Sequence, residues 1–104
     1  MTGPAWTEGT GAASTTLAFT NRTATYTVDN TDCVVNCTAN TFTVTLPTAV
    51  GCEGQYFIIK NSGTGVITID GNGSETIDGA LNKNLAVQYE SLTVISNGVN
   101  WLVI

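Results

Sequence analysis

The chain has 104 residues and a mass of 10.8 kDa, which suits one domain with a single hydrophobic core. Charged residues make up only 11% of it and the net charge is −5, which argues against nucleic acid or anionic membrane as a partner, because both need clustered lysine and arginine. No apolar run reaches the roughly 18 residues of a membrane-spanning helix, so membrane insertion is not expected.

The first 20 residues are rich in glycine, alanine, serine and threonine, and they predict a flexible N-terminal arm (1–20). Its large apolar side chains are Trp6, Leu17 and Phe19. Two interpretations stay open, a frayed terminus or a docking segment whose apolar side chains anchor it to a partner. The N-terminus has no signal-peptide core, which favours synthesis in the cytoplasm.

From residue 23 onward, apolar and polar residues alternate with the period of two that is typical of β-strands. Strands are predicted at 23–28, 33–37, 41–46, 55–60, 66–69, 84–88, 90–96 and 100–104, with a possible short strand at 76–77. Asn97-Gly98 predicts a hairpin between the last two strands, and the glycine-rich Asn61–Gly65 predicts another that returns 66–69 antiparallel to 55–60. The sequence therefore predicts an all-β domain over 21–104, a small antiparallel β-sandwich or jelly-roll-like barrel of about eight short strands.

The strand at 55–60 differs from the others because four consecutive residues in it are apolar: Tyr56, Phe57, Ile58 and Ile59. Successive side chains of a strand point to opposite faces of the sheet, so both faces of this strand should be covered. One face is assigned to the domain core and the other to a contact between subunits. These four residues are the predicted subunit interface.

The sequence predicts no catalytic, cofactor-binding or metal-binding residues, and so no enzyme and no cofactor. It contains no histidine, and turn or surface positions explain Asp70, Glu75, Asp78 and Glu90 better than the carboxylate pair of a glycosidase does. Oxygen-bearing residues alternate over 70–74 as at the start of a calcium loop, but the rest of such a loop is missing.

Two aromatic residues, Tyr89 and Trp101, are candidates for stacking on a sugar ring. Packing in the core or at an interface is the alternative for both. That alternative is favoured for both, and the apolar residues that follow Trp101 support it.

Thr41, Thr43 and Thr45 predict an outward-facing row of hydroxyls similar to those of ice-binding proteins, but the row is not expected to repeat on a second strand. The three cysteines are Cys33, Cys37 and Cys52. An odd count leaves at least one unpaired within the chain, and reduced, at least partly buried thiols are favoured over a bridge.

The segments TFTVTLPTAVGCEGQYFIIKNSGTGVITIDGNGSETIDG and QYESLTVISNGVNWLVI resemble a small β-module of bacteriophage tail-fibre, spike and related virion proteins, among them head-fibre and decoration proteins. The matching features are Leu46-Pro47 at a strand end, Lys60-Asn61, the loop Gly73–Gly79, Glu90 and Asn100-Trp101. The resemblance covers about residues 24–104, and the cysteines are not part of it.

The resemblance implies a non-enzymatic virion structural protein, synthesised in the host cytoplasm and exposed on the particle surface as a homotrimer. Its arm would attach it to other virion proteins of the capsid or tail. Since such modules usually end long fibre polypeptides and this chain starts at Met1, a capsid decoration, head fibre or accessory tail-fibre component is expected. The alternative is a glycan-binding adhesin or receptor-binding module that recognises host-surface glycan.

Overall fold

The computed structural model describes residues 16–104, which form nine short strands and no helix. The strands are β1 (Phe19–Arg22), β2 (Tyr26–Thr27), β3 (Val34–Cys37), β4 (Phe42–Thr45), β5 (Tyr56–Asn61), β6 (Ile67–Asp70), β7 (Asn82–Leu85), β8 (Ser91–Ser96) and β9 (Trp101–Val103). The all-β prediction is confirmed. Most of the predicted arm, including Trp6, lies outside the described residues, whereas its last two residues, Phe19 and Thr20, belong to β1.

Successive strands of the first part of the chain alternate between two sheets. The five-stranded sheet has the order β1-β3-β5-β8-β9, and the four-stranded sheet has the order β2-β4-β6-β7. β1, β3 and β5 are parallel, as are β2, β4 and β6. The chain therefore winds through three coils, each with one strand in each sheet, and forms a short parallel β-solenoid. β7, β8 and β9 add antiparallel strands to its far end.

Two sheets that share one core agree with the predicted sandwich, but the prediction of antiparallel strands throughout, and with it the jelly-roll-like barrel, is wrong, because four of the seven strand pairs are parallel. The predicted hairpin at 61–65 does not form, since β5 and β6 lie in different sheets. The buried Asn61 side chain donates hydrogen bonds to the carbonyl oxygens of Gly65 and Leu85, at 2.8 and 2.9 Å, and accepts one from the Gly63 N–H. These bonds hold the turn that carries the chain across to the other sheet. The hairpin at Asn97-Gly98 is confirmed.

The inner faces of the two sheets share one hydrophobic core. Its fully buried side chains include Val35, Val44, Leu46, Phe57, Ile59, Ile67, Ile69, Ile77, Val94 and Trp101. The rings of Phe57 and Trp101 lie 5.5 Å apart between centroids, and the Trp101 Nε1–H donates to the Pro47 carbonyl oxygen at 3.1 Å. Trp101 thus fixes the end of β4 as well as filling the core.

The turn between β5 and β6 stacks on the turn between β3 and β4 with direct backbone contact. A Cβ atom at Gly63 would collide with the Ala39 carbonyl oxygen, and one at Gly65 would lie 2.6 Å from the Asn40 carbonyl carbon. Only glycine fits at such a close approach of two backbones. The glycines of this turn therefore set the spacing between coils.

A loop segment covers the outer edge of β9. The Trp101 N–H donates to the Thr76 carbonyl oxygen at 2.9 Å, the Asp78 N–H donates to the Trp101 carbonyl oxygen at 3.0 Å, and the Val103 N–H donates to Asp78 Oδ1 at 3.0 Å. The possible strand at 76–77 is only an isolated bridge at Ile77. We call this segment, 76–78, the β9 cap.

Candidate functional site

The predicted subunit-contact strand divides its side chains between the two faces of the five-stranded sheet. Phe57 and Ile59 point inward and are fully buried, whereas Tyr56 and Ile58 lie on the outer face. Two of the four predicted contact residues are thus core residues with no surface to offer another subunit. Tyr56 and Ile58 remain candidates for that contact.

The strand register aligns apolar residues of β1 and β3 with Ile58, whereas its neighbour in β8 is Thr93. In one row, Phe19 pairs with Val34 and Val34 pairs with Ile58. In a second row, Tyr56 pairs with Ile95 of β8, and Ile95 pairs with Leu102 of β9. We call this surface the outer apolar patch; it consists of Phe19, Val34, Tyr56, Ile58, Ile95, Leu102 and Ile104. The two rims are the most exposed, Phe19 at 60% and Ile104 at 70%. Phe19, predicted to dock the arm, therefore lies in this patch.

A polar row borders the outer apolar patch on the same face. Asn36 Nδ2 donates to Asn21 Oδ1 at 2.9 Å, and Lys60 is aligned with Asn36 by the register of β3 and β5. A contiguous exposed apolar surface with a polar border is typical of a protein contact. Sequence analysis found three of the seven patch residues as contact residues, Tyr56 and Ile58 for another subunit and Phe19 for docking of the arm. It missed the others because their alignment depends on which strands are neighbours.

The two predicted sugar-stacking residues lie in different environments. Trp101 is fully buried, so only Tyr89 is accessible to a ligand. Tyr89 is 63% exposed and has a φ of 71°, a backbone conformation that is rare for an aromatic residue. Lys60 Nζ donates to the Tyr89 carbonyl oxygen at 2.7 Å and lies 5.8 Å from its ring centroid. These contacts hold the exposed ring beside the polar row.

Three of the four carboxylates considered for catalysis, those of Glu75, Asp78 and Glu90, are used in structural hydrogen bonds. Glu75 accepts from the Thr48 hydroxyl at 2.6 Å and from the Ala49 N–H at 2.8 Å, and Asp78 belongs to the β9 cap. Glu90 Oε1 accepts hydrogen bonds from two backbone N–H groups of the turn in which it lies. This turn follows β7, so the strand predicted at 84–88 ends earlier than expected. Among residues 16–104, no three His, Cys, Asp or Glu residues are grouped to hold a metal ion.

The outer face of the four-stranded sheet carries the predicted threonine row, and the expectation that it would not repeat is wrong. Thr45 pairs with Thr27 on one side, and Thr43 pairs with Thr68 on the other. The array is small, because Asp70 takes the position next to Thr45 in β6.

Cys33, Cys37 and Cys52 are all unbridged, in agreement with the predicted reduced thiols. Burial raises the pKa of the Cys37 thiol to about 11. Cys33 lies beside Tyr56, and its charge and hydrogen bond raise the pKa of that phenol. The Cys52 thiol donates to the Thr48 carbonyl oxygen at 3.2 Å.

We expect Cys37 to resist a thiol reagent at about pH 8 until the chain unfolds, because thiolate is the reactive form and burial disfavours it. The pKa of Cys37 is about 11 in the folded chain and 9.0 in the absence of burial, so the unfolded chain loses the thiol proton at lower pH. The free energy of unfolding should therefore fall as the pH rises from 9.0 to about 11. Urea titrations at the two ends of the interval test this slope. The Cys37→Ala variant should lack this contribution; an equal slope in both proteins would contradict it.

No protein-family model matches the chain, and no curated protein is significantly similar to it. Within residues 16–104, no helix has the length and apolar character needed to span a membrane.

Proposed function

We propose that the chain is a non-enzymatic structural protein of a bacteriophage virion, a capsid decoration, head fibre or accessory tail-fibre component. It is attached to other virion proteins by its N-terminal arm, is exposed on the particle surface as a homotrimer, and is synthesised in the host cytoplasm. The observation that carries this proposal is the outer apolar patch, which crosses all five strands of one sheet and offers a surface for other copies.

Several of the residues that resemble the phage module contact one another, which also supports the proposal. Trp101 donates to the carbonyl oxygen of Pro47, and Asn100 Oδ1 accepts from the Thr76 N–H at 2.9 Å. Glu75 binds the residues that follow Pro47. This part of the resembling pattern therefore corresponds to contacts between the end of β4, the 73–79 loop and the start of β9.

Deleting residues 1–15 tests the attachment, because β1 starts at Phe19 and stays intact. We expect the shortened protein to keep its fold and its self-association but to be missing from purified particles. A chain in which a glycine-serine segment of equal length replaces residues 1–15 is the control for length. Normal incorporation of either variant would contradict attachment through the arm.

A glycan-binding module is the second candidate, and the exposed Tyr89 ring favours it. An aromatic residue held at positive φ costs conformational energy, and such strain is concentrated at functional sites. In this case Tyr89→Ala should abolish binding on a glycan array. Val87→Ala, which alters another exposed residue of the same turn, should retain it. Equal glycan signals from the two variants, or no signal from the unaltered protein, would count against this function.

A further inference from the structure

Within residues 16–104, the first coil of the solenoid has backbone groups along its outer edge that pair with no other strand. The carbonyl oxygens of Ala18 and Arg22 accept hydrogen bonds from β3 and the residue that follows it. Backbone groups of successive residues in a strand point to alternate sides. The N–H and C=O groups of Phe19 and Asn21 therefore point away from β3, and no other residue of 16–104 pairs with them there.

The four-stranded sheet has a free edge at the same end of the molecule. The Val28 N–H donates to the Thr45 carbonyl oxygen at 2.8 Å, so the backbone groups of Thr27 point away from β4. β2 has only one neighbouring strand in the part of the chain that the structure describes. Both sheets therefore end at the first coil in edges that can accept a further strand.

The other end of the solenoid differs from this one. There the β9 cap binds the outward backbone groups of Trp101, so the edge of the five-stranded sheet is satisfied. β7 is also an edge strand, but it carries Lys83, and a charge on an edge strand discourages further pairing. A solenoid needs its terminal coils covered, and in this protein the first coil is the less protected one.

Arg22 indicates which kind of side chain a strand added to the first coil should carry. Its guanidinium carbon lies 3.7 Å from the centroid of the Tyr26 ring, and its Nε–H is buried with no acceptor within the described part of the chain. An inward-pointing charge on an edge strand disfavours the addition of an apolar strand. A strand that supplies a carboxylate would instead pair with the guanidinium charge through its terminal N–H groups.

We propose that the anchoring protein of the virion adds an extended segment to β1 and β2, with an acidic side chain next to Arg22. The inference rests on the proposed virion function and names the partner of the attachment end. Residues 16–18 lead into β1, so the described part of the chain begins at this same end. The arm and the added segment would therefore engage one partner. Backbone hydrogen bonds supply the affinity in such strand addition, and the carboxylate supplies selectivity.

Purified full-length protein and particles assembled without it provide the test. Asn21→Pro removes an outward N–H and places the proline ring in the path of an added strand, without removing a hydrogen bond to β3. Asn21→Ala removes only the side-chain bond to Asn36. Asn84→Pro is the matched control, because the Asn84 N–H is also directed outward, from β7.

We expect Asn21→Pro to reduce the protein bound to particles by about tenfold or more, whereas Asn21→Ala and Asn84→Pro bind as the unaltered protein does. Arg22→Lys should also weaken binding, because lysine keeps the charge but lacks the planar pair of N–H groups that binds a carboxylate. Circular dichroism checks the fold of each variant. If Asn21→Pro does not fold, Thr27→Pro removes the corresponding outward N–H of β2.

Full binding of a folded Asn21→Pro or Thr27→Pro variant would overturn the inference while leaving the virion function intact. No binding of the unaltered protein to particles would instead contradict the virion function itself. Hydrogen exchange of the protein alone gives a third result. Slow exchange at Phe19 and Asn21 in the absence of particles would show that a second copy or the chain itself already covers this edge, and would overturn the inference.

Discussion

Gly63→Ala should destabilise the protein by about 3 kcal/mol or more, because the new methyl group collides with the Ala39 carbonyl oxygen of the preceding coil. Neither backbone can move without disturbing others, since the Gly63 N–H is bound to Asn61 Oδ1 and Asn61 also binds Leu85. Chemical denaturation measures the loss as a lower free energy of unfolding.

Gly73→Ala is the control for the general effect of replacing a loop glycine. Gly73 has a φ of 56°, but no atom lies within 4 Å of the position that a Cβ would take. Its replacement should therefore cost only the penalty for a left-handed residue, about 1 kcal/mol. Equal losses in the two variants would show that the turns do not stack as described.

Ile58→Glu should convert the proposed homotrimer to a monomer. Ile58 occupies the central strand of the outer apolar patch, and a carboxylate buried there without a partner would cost several kcal/mol in each subunit. In the monomer the Ile58 position is only partly buried, so the domain itself should still fold. Native mass spectrometry or sedimentation velocity distinguishes the two states.

Val87→Glu provides the matched control for Ile58→Glu. Val87 is 65% exposed and lies outside the outer apolar patch, so the same change of charge should leave the trimer intact. Dissociation by both variants would indicate a general charge effect. If the Ile58→Glu variant is still a trimer, the outer apolar patch is not the contact between subunits.

Most strands were predictable from the sequence, because each depends on side chains that are close along the chain. The exceptions are β1, which was not predicted and begins inside the predicted arm, and β7, which begins and ends earlier than the strand predicted at 84–88. The alternation over 41–46 and the Asn97-Gly98 turn place β4 and the last hairpin correctly. The four apolar residues at 56–59 likewise predict that both faces of β5 are apolar. One of these faces is the core, and the other is the exposed patch.

Strand pairing was not predictable, because the same types of turn residue occur in a hairpin within one sheet and in a connection that crosses from one sheet to the other. At 61–65 the outcome is decided by the Asn61 side chain and its bond to Leu85, 24 residues away. The outer apolar patch depends on this pairing, since Val34 and Ile58 become neighbours only when β3 and β5 lie side by side.

The two aromatic residues considered for sugar stacking differ in how far the sequence predicted them. The apolar residues after Trp101 favour core packing, and this is confirmed, because Trp101 is fully buried and donates to the Pro47 carbonyl oxygen. Nothing near Tyr89 along the chain indicates its exposure, since that depends on how the coils assemble around its turn.

The strand register shows that the coils differ in length. Fifteen residues separate Phe19 from its partner Val34, whereas 24 separate Val34 from its partner Ile58. The additional residues lie in the connections, so the molecule repeats in space without a repeat in its sequence. A descendant of this chain can lengthen a connection, or gain or lose a whole coil, and still keep every remaining strand in its place.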